Sequence, residues 1–175
     1  MITIRLTTWV NAPLELCFRL ATNVKFNSAS ASGSKVADAG AETVQVGDTF
    51  NRSAWRLGFR MSHISRITDI RPYSYFKEVM GDGSFRQFEH EHHFTPLDDG
   101  TRVRSEVRFS VGRGPAALLL ERILLRRYVM KLLTERHMRL KRSVESSEWR
   151  KYLEDKQELP SEVPSPKIAK MQRFA

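Results

Sequence analysis

The stretch that most constrains this chain runs from Gly47 to Gly112, where five strand-like segments follow one another with only short turns between them. Thr49 to Trp55 is broken by Leu57-Gly58, Phe59 to Ile70 by Arg71-Pro72, Tyr73 to Met80 by Gly81-Asp82-Gly83, and Phe85 to Thr95 by Asp98-Asp99-Gly100. Thr101 to Val111 then runs to Gly112. Turns this short join antiparallel neighbours. A strand at residues 2 to 10, alternating Ile2, Ile4 and Leu6 with Thr3, Arg5 and Thr7, adds a sixth. Such a sheet has one apolar face, which another layer must cover.

Two segments can supply that cover. Pro13, at the start of a helix where its missing N–H costs no bond, leads into Leu14, Leu16, Cys17, Phe18, Leu20 and Ala21, a short helix ending near Asn23. After Gly114-Pro115 a long helix can reach Arg142 without a breaker. Between them, Asn27 to Gly40 is small and polar and reads as a mobile loop with a turn of helix around Phe26. The expected fold is therefore α+β: six strands in a strongly curved antiparallel sheet gripping a long C-terminal helix. Residues 1–142 form that domain. Residues 143–175 form a polar extension, partly helical around Trp149, Tyr152 and Leu153, then disordered after Pro160, Pro164 and Pro166.

Alternation assigns faces in the last hairpin. Phe88, His90, His92 and Phe94 share one side, with Val103, Ser105, Val107 and Phe109 on the same side of the partner strand. If Asp98-Asp99 is the turn, His92 opposes Ser105, His90 opposes Val107, Phe88 opposes Phe109 and, on the outer face, Glu89 opposes Arg108. That last pair is charge-complementary.

Composition excludes several classes. A chain of 175 residues with 41% hydrophobic content and ten Phe can bury one real core, and one Cys forbids an intramolecular disulfide. With no basic flank and apolar run at the start, a cytoplasmic setting is expected. No stretch has the length of uninterrupted apolar residues that a membrane span needs. The formal charge is +9, of which +6 falls between Ala116 and Arg142. That helix attracts anions, whether an anionic membrane surface, an acidic carrier protein or nucleic acid. Nucleic acid is disfavoured, because bases stack on exposed rings and nearly all the Phe here fall on inward faces. The helix's apolar residues Ile123, Leu124, Leu125, Tyr128, Val129, Met130, Leu132 and Leu133 exceed a single stripe, so the tail, a second subunit in a homodimer or a membrane surface is expected to cover some of them.

The opening VNAPLELCFRLATN, the run SRITDIRPYSYFKEVMGDGSFRQFEHEHHFTPLDDGTRVRSEV and the final GPAALLLERILLRRYVMKLLTERHMRL resemble the helix-grip superfamily. This is the group of START lipid-transfer domains, pollen-allergen-type binders and SRPBCC proteins, and the likeness is greatest to bacterial polyketide cyclases/dehydrases and lipid-transport-like members. The match covers residues 2 to about 142. It implies binding of an apolar or polycyclic molecule between the sheet and the last helix; only some members are enzymes.

His90 and His92, two imidazoles on an apolar face, are the unusual feature. They are candidates for general acid/base work or for contact with a ligand carbonyl, beside the plainer reading of core histidines satisfied by Ser105 or backbone. Trp55, Phe59, Phe88, Phe94, Ser105 and Tyr128 are the other expected lining residues, around a cavity rather than a filled core, although aromatics at these periods also serve as ordinary core. A metal site is excluded, since His90, His92 and His93 lack a carboxylate or thiol to complete the set and His93 faces outward. Asp69, Glu78 and Glu106 are expected to be solvated on the outer face. No phosphate loop, G-x-S-x-G, Cys-x-x-Cys or helical His-x-x-x-His is present. The leading expectation is a binder of a hydrophobic or aromatic small molecule, of the lipid, quinone or polyketide class. The alternatives are a cofactor-free cyclase/dehydratase acting on a polyketone in the same cavity, and binding of an anionic surface or nucleic acid through the basic helix.

Overall fold

Period-two alternation lays down the sheet. In a computed structural model, which describes residues 1–30, 35–37, 42–56, 59–83, 86–110 and 125–153, β1 (Ile2–Val10) buries Ile4 and Val10 and exposes Thr3, Arg5 and Thr7. Helices α1 (Leu14–Thr22) and α2 (Val24–Ser30) follow, then β2 (Lys35–Ala37), β3 (Thr49–Arg56), β4 (Phe59–Arg71), β5 (Tyr75–Gly83), β6 (Gln87–Leu97) and β7 (Gly100–Ser110). The long helix α3 (Arg126–Glu145) and a short helical turn over residues 147–153 complete the described chain. The strands form one antiparallel sheet in the order β1-β7-β6-β5-β4-β3-β2, so the chain's first strand returns to pair with its last. Ile4 opposes Val107 and Leu6 opposes Ser105. The α+β helix-grip architecture stands.

The β6–β7 register is the one expected: His92 faces Ser105, His90 faces Val107, Phe88 faces Phe109 and Glu89 faces Arg108. Asp98 turns the hairpin at φ 47°, a left-handed conformation that a short polar side chain tolerates. A Cβ on Gly100 would lie 2.5 Å from the Val10 carbonyl oxygen, so β7 needs glycine where it starts against the end of β1.

Two expectations need correction. Gly81-Asp82-Gly83 is not a turn but the end of β5, because the 13-residue β4 offers partners that far; a bulge between Ile64 and Ser65 absorbs the misfit. The segment after Asn27 is not wholly loop. Helix α2 reaches Ser30, held by Asn23, whose Oδ1 accepts from the Phe26 N–H at 2.8 Å, and a three-residue seventh strand, Lys35–Ala37, pairs with β3. Helix α3 reaches Arg142 and continues to Glu145, and Trp149, Tyr152 and Leu153 of the extension pack against the core. The expected helix start after Pro115, with Ile123 and Leu124, and the tail beyond Leu153 lie outside the described residues.

The interior has two apolar clusters. One joins Val10, Phe18, Leu20, Phe26, Phe76, Phe94, Val103, Leu140 and Val144; the other joins Ile4, Val107, Phe109, Leu125, Val129 and Leu133. Phe18 sits edge-on to both Phe76 and Phe94, with ring centroids 6.3 and 5.4 Å away, so Phe94 is a core side chain as well as a neighbour of His92.

Candidate functional site

Between the two clusters lies a belt of buried and half-buried polar side chains. On β1, Thr8 falls between Leu6 and Val10; on β7, Ser105 falls between Val103 and Val107; on β6, His90 and His92 fall between Phe88 and Phe94. On β5 the intervening residue is Glu78, between Phe76 and Met80, and on α3 it is the pair Arg136-His137, between Leu133 and Leu140. Inward alternation on the strands and the near-fourfold spacing Val129, Leu133, His137 on the helix bring these groups to one level. Buried polar groups persist when they bond one another, and hydrogen bonds join Thr8, His137, Ser105 and His92, and Glu78 with Arg136.

One chain of bonds links sheet and helix. Thr8 Oγ1 lies 2.9 Å from His137 Nδ1, His137 Nε2 lies 2.8 Å from Ser105 Oγ, and Ser105 Oγ lies 3.2 Å from His92 Nδ1. The His92 ring lies 3.8 Å from that of His90 and stacks on Phe76 at 4.1 Å. A second group adjoins: the Glu78 carboxylate, 1% exposed, accepts from Arg136 Nη1 at 3.4 Å, and Arg136 Nη2 donates to Asn27 Oδ1 at 3.0 Å. Register places Glu78 directly opposite His90.

Burial, with the Arg136 charge as a lesser cause, pushes the His137 imidazole down to about 4, so it is neutral at neutral pH. Each of its nitrogens then has one role, donor or acceptor, and the hydroxyls of Thr8 and Ser105 supply the complement. Two arrangements run in a single sense along the whole chain. In one, His92 Nδ1–H donates to Ser105, Ser105 to His137 Nε2, and His137 Nδ1–H to Thr8. In the other every proton is reversed.

Sequence reasoning brought His90, His92 and Ser105 together correctly. It placed Glu78 and Glu106 in solvent, and both are buried. Glu78 faces inward because alternation puts it on the side of Phe76. Glu106 faces outward but lies beneath Arg5, Arg104 and Arg108, whose guanidinium groups reach it at 2.7, 3.0 and 2.7 Å. Asp69 is the exposed member of the three, its side chain 45% accessible. Glu78 also removes the ground on which a metal was excluded, for it supplies the carboxylate beside His90 and His92. His137, Arg136, Thr8 and Asn27 were missed. The signal for His137 was present, since it shares the stripe of Val129, Leu133, Leu140 and Val144. Phe88 and Tyr128 pack at the edge of the second cluster. The side chains of Trp55 and Phe59 lie outside the described residues, and with them part of the expected cavity lining.

The basic face of α3 is partly used internally. Arg139 Nη2 donates to the Phe26 carbonyl at 3.0 Å and Lys141 Nζ to that of Trp9 at 3.0 Å. Arg126, Arg127 and Lys131 remain exposed and line an open outer groove of about 560 Å³ with Met130, Thr134 and Glu135. Leu125, Val129 and Leu133 are covered by the sheet's own cluster, whereas Leu132 is exposed. Among the described residues no helix is long and apolar enough to cross a membrane. Cys17 offers no nucleophile, its thiol pushed up to about 11 by burial.

Residues 10–135 match the family model described as polyketide cyclase/dehydrase and lipid transport. The chain belongs to that family. No curated protein matches it. Among solved structures the chain is similar to the Zhui aromatase/cyclase from Streptomyces sp. R1128, with 16% identity, TM-score 0.64, and coverage of 83% of this chain and 97% of that one. A START superfamily protein from Mycobacterium smegmatis aligns at 14% identity and TM-score 0.62, over 82% of this chain and 97% of that one. The Aha1 dimer from Colwellia psychrerythraea aligns at 15% identity and TM-score 0.59, over 83% and 97%. At these identities the likeness carries the fold. The polar belt has to be read from this family member's own residues.

Proposed function

We propose that this family member binds an apolar or aromatic small molecule carrying a carbonyl or hydroxyl group between the sheet and α3, with His90, His92 and Ser105 as its polar contacts. The observation behind this reading is the belt itself: a level of bonding groups crossing an interior that is apolar above and below. A polar interior of this kind costs stability compared with a hydrophobic one of the same volume, and recognition of an oxygen-bearing ligand is what it gains. The family description, which joins cyclase and lipid-transport members, supports the same ligand class.

The test uses 1,8-dihydroxyanthraquinone as a polycyclic probe, titrated against the intact chain by quenching of tryptophan fluorescence. Saturable binding is expected, and His90→Gln or His92→Gln should weaken it by about 1–3 kcal/mol each, the usual cost of leaving a buried polar partner unmatched. Absence of saturable binding by the folded wild type, or wild-type affinity in both variants, overturns the proposal.

A second reading, an enzyme of the cyclase/dehydrase kind acting on a polyketone at the same site, is favoured by the bonded chain from Thr8 to His92, which can pass a proton along its length. In that case the two substitutions leave affinity nearly intact while lowering turnover by about 10²–10⁴-fold.

A further inference from the structure

Glu78, His90 and His92 project from adjacent positions of β5 and β6, all three buried, and a carboxylate oxygen and one nitrogen of each ring lie within 4.8 Å of one another. Two neutral imidazoles and one carboxylate are the donor set of catalytic zinc and non-haem iron sites, in which three protein ligands leave further positions open. We propose that these three residues bind a divalent first-row transition ion of the zinc or iron(II) kind, whose remaining positions take water or the oxygen of a bound molecule.

The geometry is close to what an ion requires. Donors on an ion with bonds of about 2.1 Å sit about 3.4 Å apart at tetrahedral angles, so atoms within 4.8 Å of one another have to draw in by up to about 1.4 Å, a distance on the scale of side-chain rotation. Two neighbours prepare them. Ser105 Oγ, 3.2 Å from His92 Nδ1, orients that ring so that Nε2 is the ligating atom. With Nε2 ligated, Nδ1 carries the proton and donates to Ser105 Oγ, which leaves the Ser105 hydroxyl proton for His137 Nε2. Arg136, 3.4 Å from Glu78 Oε1, holds the carboxylate beside the two imidazoles.

Charge then selects the outside ligand. Glu78 is already shared with the Arg136 guanidinium, so the protein leaves the ion's positive charge under-neutralised in a buried place. An anionic oxygen, hydroxide or the deprotonated hydroxyl of a phenol or enol, fits that position better than a neutral group or a thioether. Metal binding and the small-molecule reading are separable, since either can hold without the other.

The test is a titration of untagged, chelator-treated full-length chain with Co²⁺, followed by visible absorption and equilibrium dialysis. One equivalent should bind with ligand-field bands of low-symmetry nitrogen and oxygen ligation, and Zn²⁺ should displace it. Glu78→Gln, His90→Gln and His92→Gln should each weaken binding more than tenfold, and Ser105→Ala, which touches no ion, by about 10-fold through loss of ring orientation. His93→Gln, on the outer face, should leave it unchanged. If the variants do not fold, the wild-type titration decides: no stoichiometric uptake by the folded chain overturns the site. Uptake that His93→Gln lowers as much as His92→Gln overturns it as well. A chain that takes up no cobalt yet binds the anthraquinone probe loses this inference and keeps the small-molecule reading.

Discussion

His137 of α3 and Ser105 of β7, 32 positions apart in the chain, are joined by a 2.8 Å hydrogen bond between Nε2 and Oγ. The bond ties the helix to the middle of the sheet at a level where neither contributes apolar contact. Through Thr8 and His92 it extends across three strands, so the helix's position and the protonation of the belt are linked.

Stability should therefore depend on pH through His137. Its imidazole titrates near about 4 when folded, against 6.5 ordinarily, so between these values the unfolded chain holds more protons and stability falls as pH falls. Above 6.5 the contribution of the neutral ring is complete. The expected loss across that window is about 2–3 kcal/mol, and His137→Gln should remove that part of the slope. Melting curves of wild type and variant from pH 7 to pH 4 check this; parallel pH profiles would contradict it.

Glu106 behaves differently because its partners are charged and lie toward solvent. Hydrogen bonds from Arg5 above all, with help from Arg108 and Arg104, hold its carboxyl at about 2 despite burial. The stabilisation is complete above the ordinary value of 4.5 and is lost as pH falls toward about 2. Because the arginines are largely exposed, the contribution at neutral pH is about 1–3 kcal/mol rather than the full shift. Urea unfolding of Glu106→Gln should show that deficit at pH 7 and a much smaller one at pH 2.5. A deficit of the same size at both values would assign the effect to packing.

The segment after α3 belongs to the core in energetic terms. Tyr152 sits edge-on to Phe26 at 5.2 Å, and its carbonyl accepts from Asn23 Nδ2 at 3.0 Å, which in turn positions the start of α2. Tyr152→Ala should cost about 1–3 kcal/mol, and ending the chain at Ser146 should cost more, since Trp149 and Leu153 leave the same cluster. A truncated chain with the wild-type melting temperature would show the extension to be independent of the fold.

Much of this was legible in the sequence because period-two alternation and two-residue turns leave little freedom. Once Asp98-Asp99 is a turn, the pairing of His92 with Ser105 follows from counting. What escaped were charged residues on inward positions. Alternation places Glu78 with Phe76, but a lone carboxylate is ordinarily solvated, and its partner Arg136 lies 58 residues away on another element. His137 likewise sits on the apolar stripe of a helix whose net charge drew attention to its outer face. The path of β5 through Gly81 was unreadable for another reason: a bulge in a neighbouring strand is set by pairing, not by the residues that look like a turn.

The most direct test of the central claim, that this chain holds an oxygen-bearing apolar molecule between sheet and helix, is native mass spectrometry of the protein purified without detergent. A population heavier than the bare chain by the mass of a small apolar molecule is expected, lost on denaturation and reduced in His90→Gln and His92→Gln. A single species at the mass of the bare chain, unchanged after incubation with 1,8-dihydroxyanthraquinone, would contradict it.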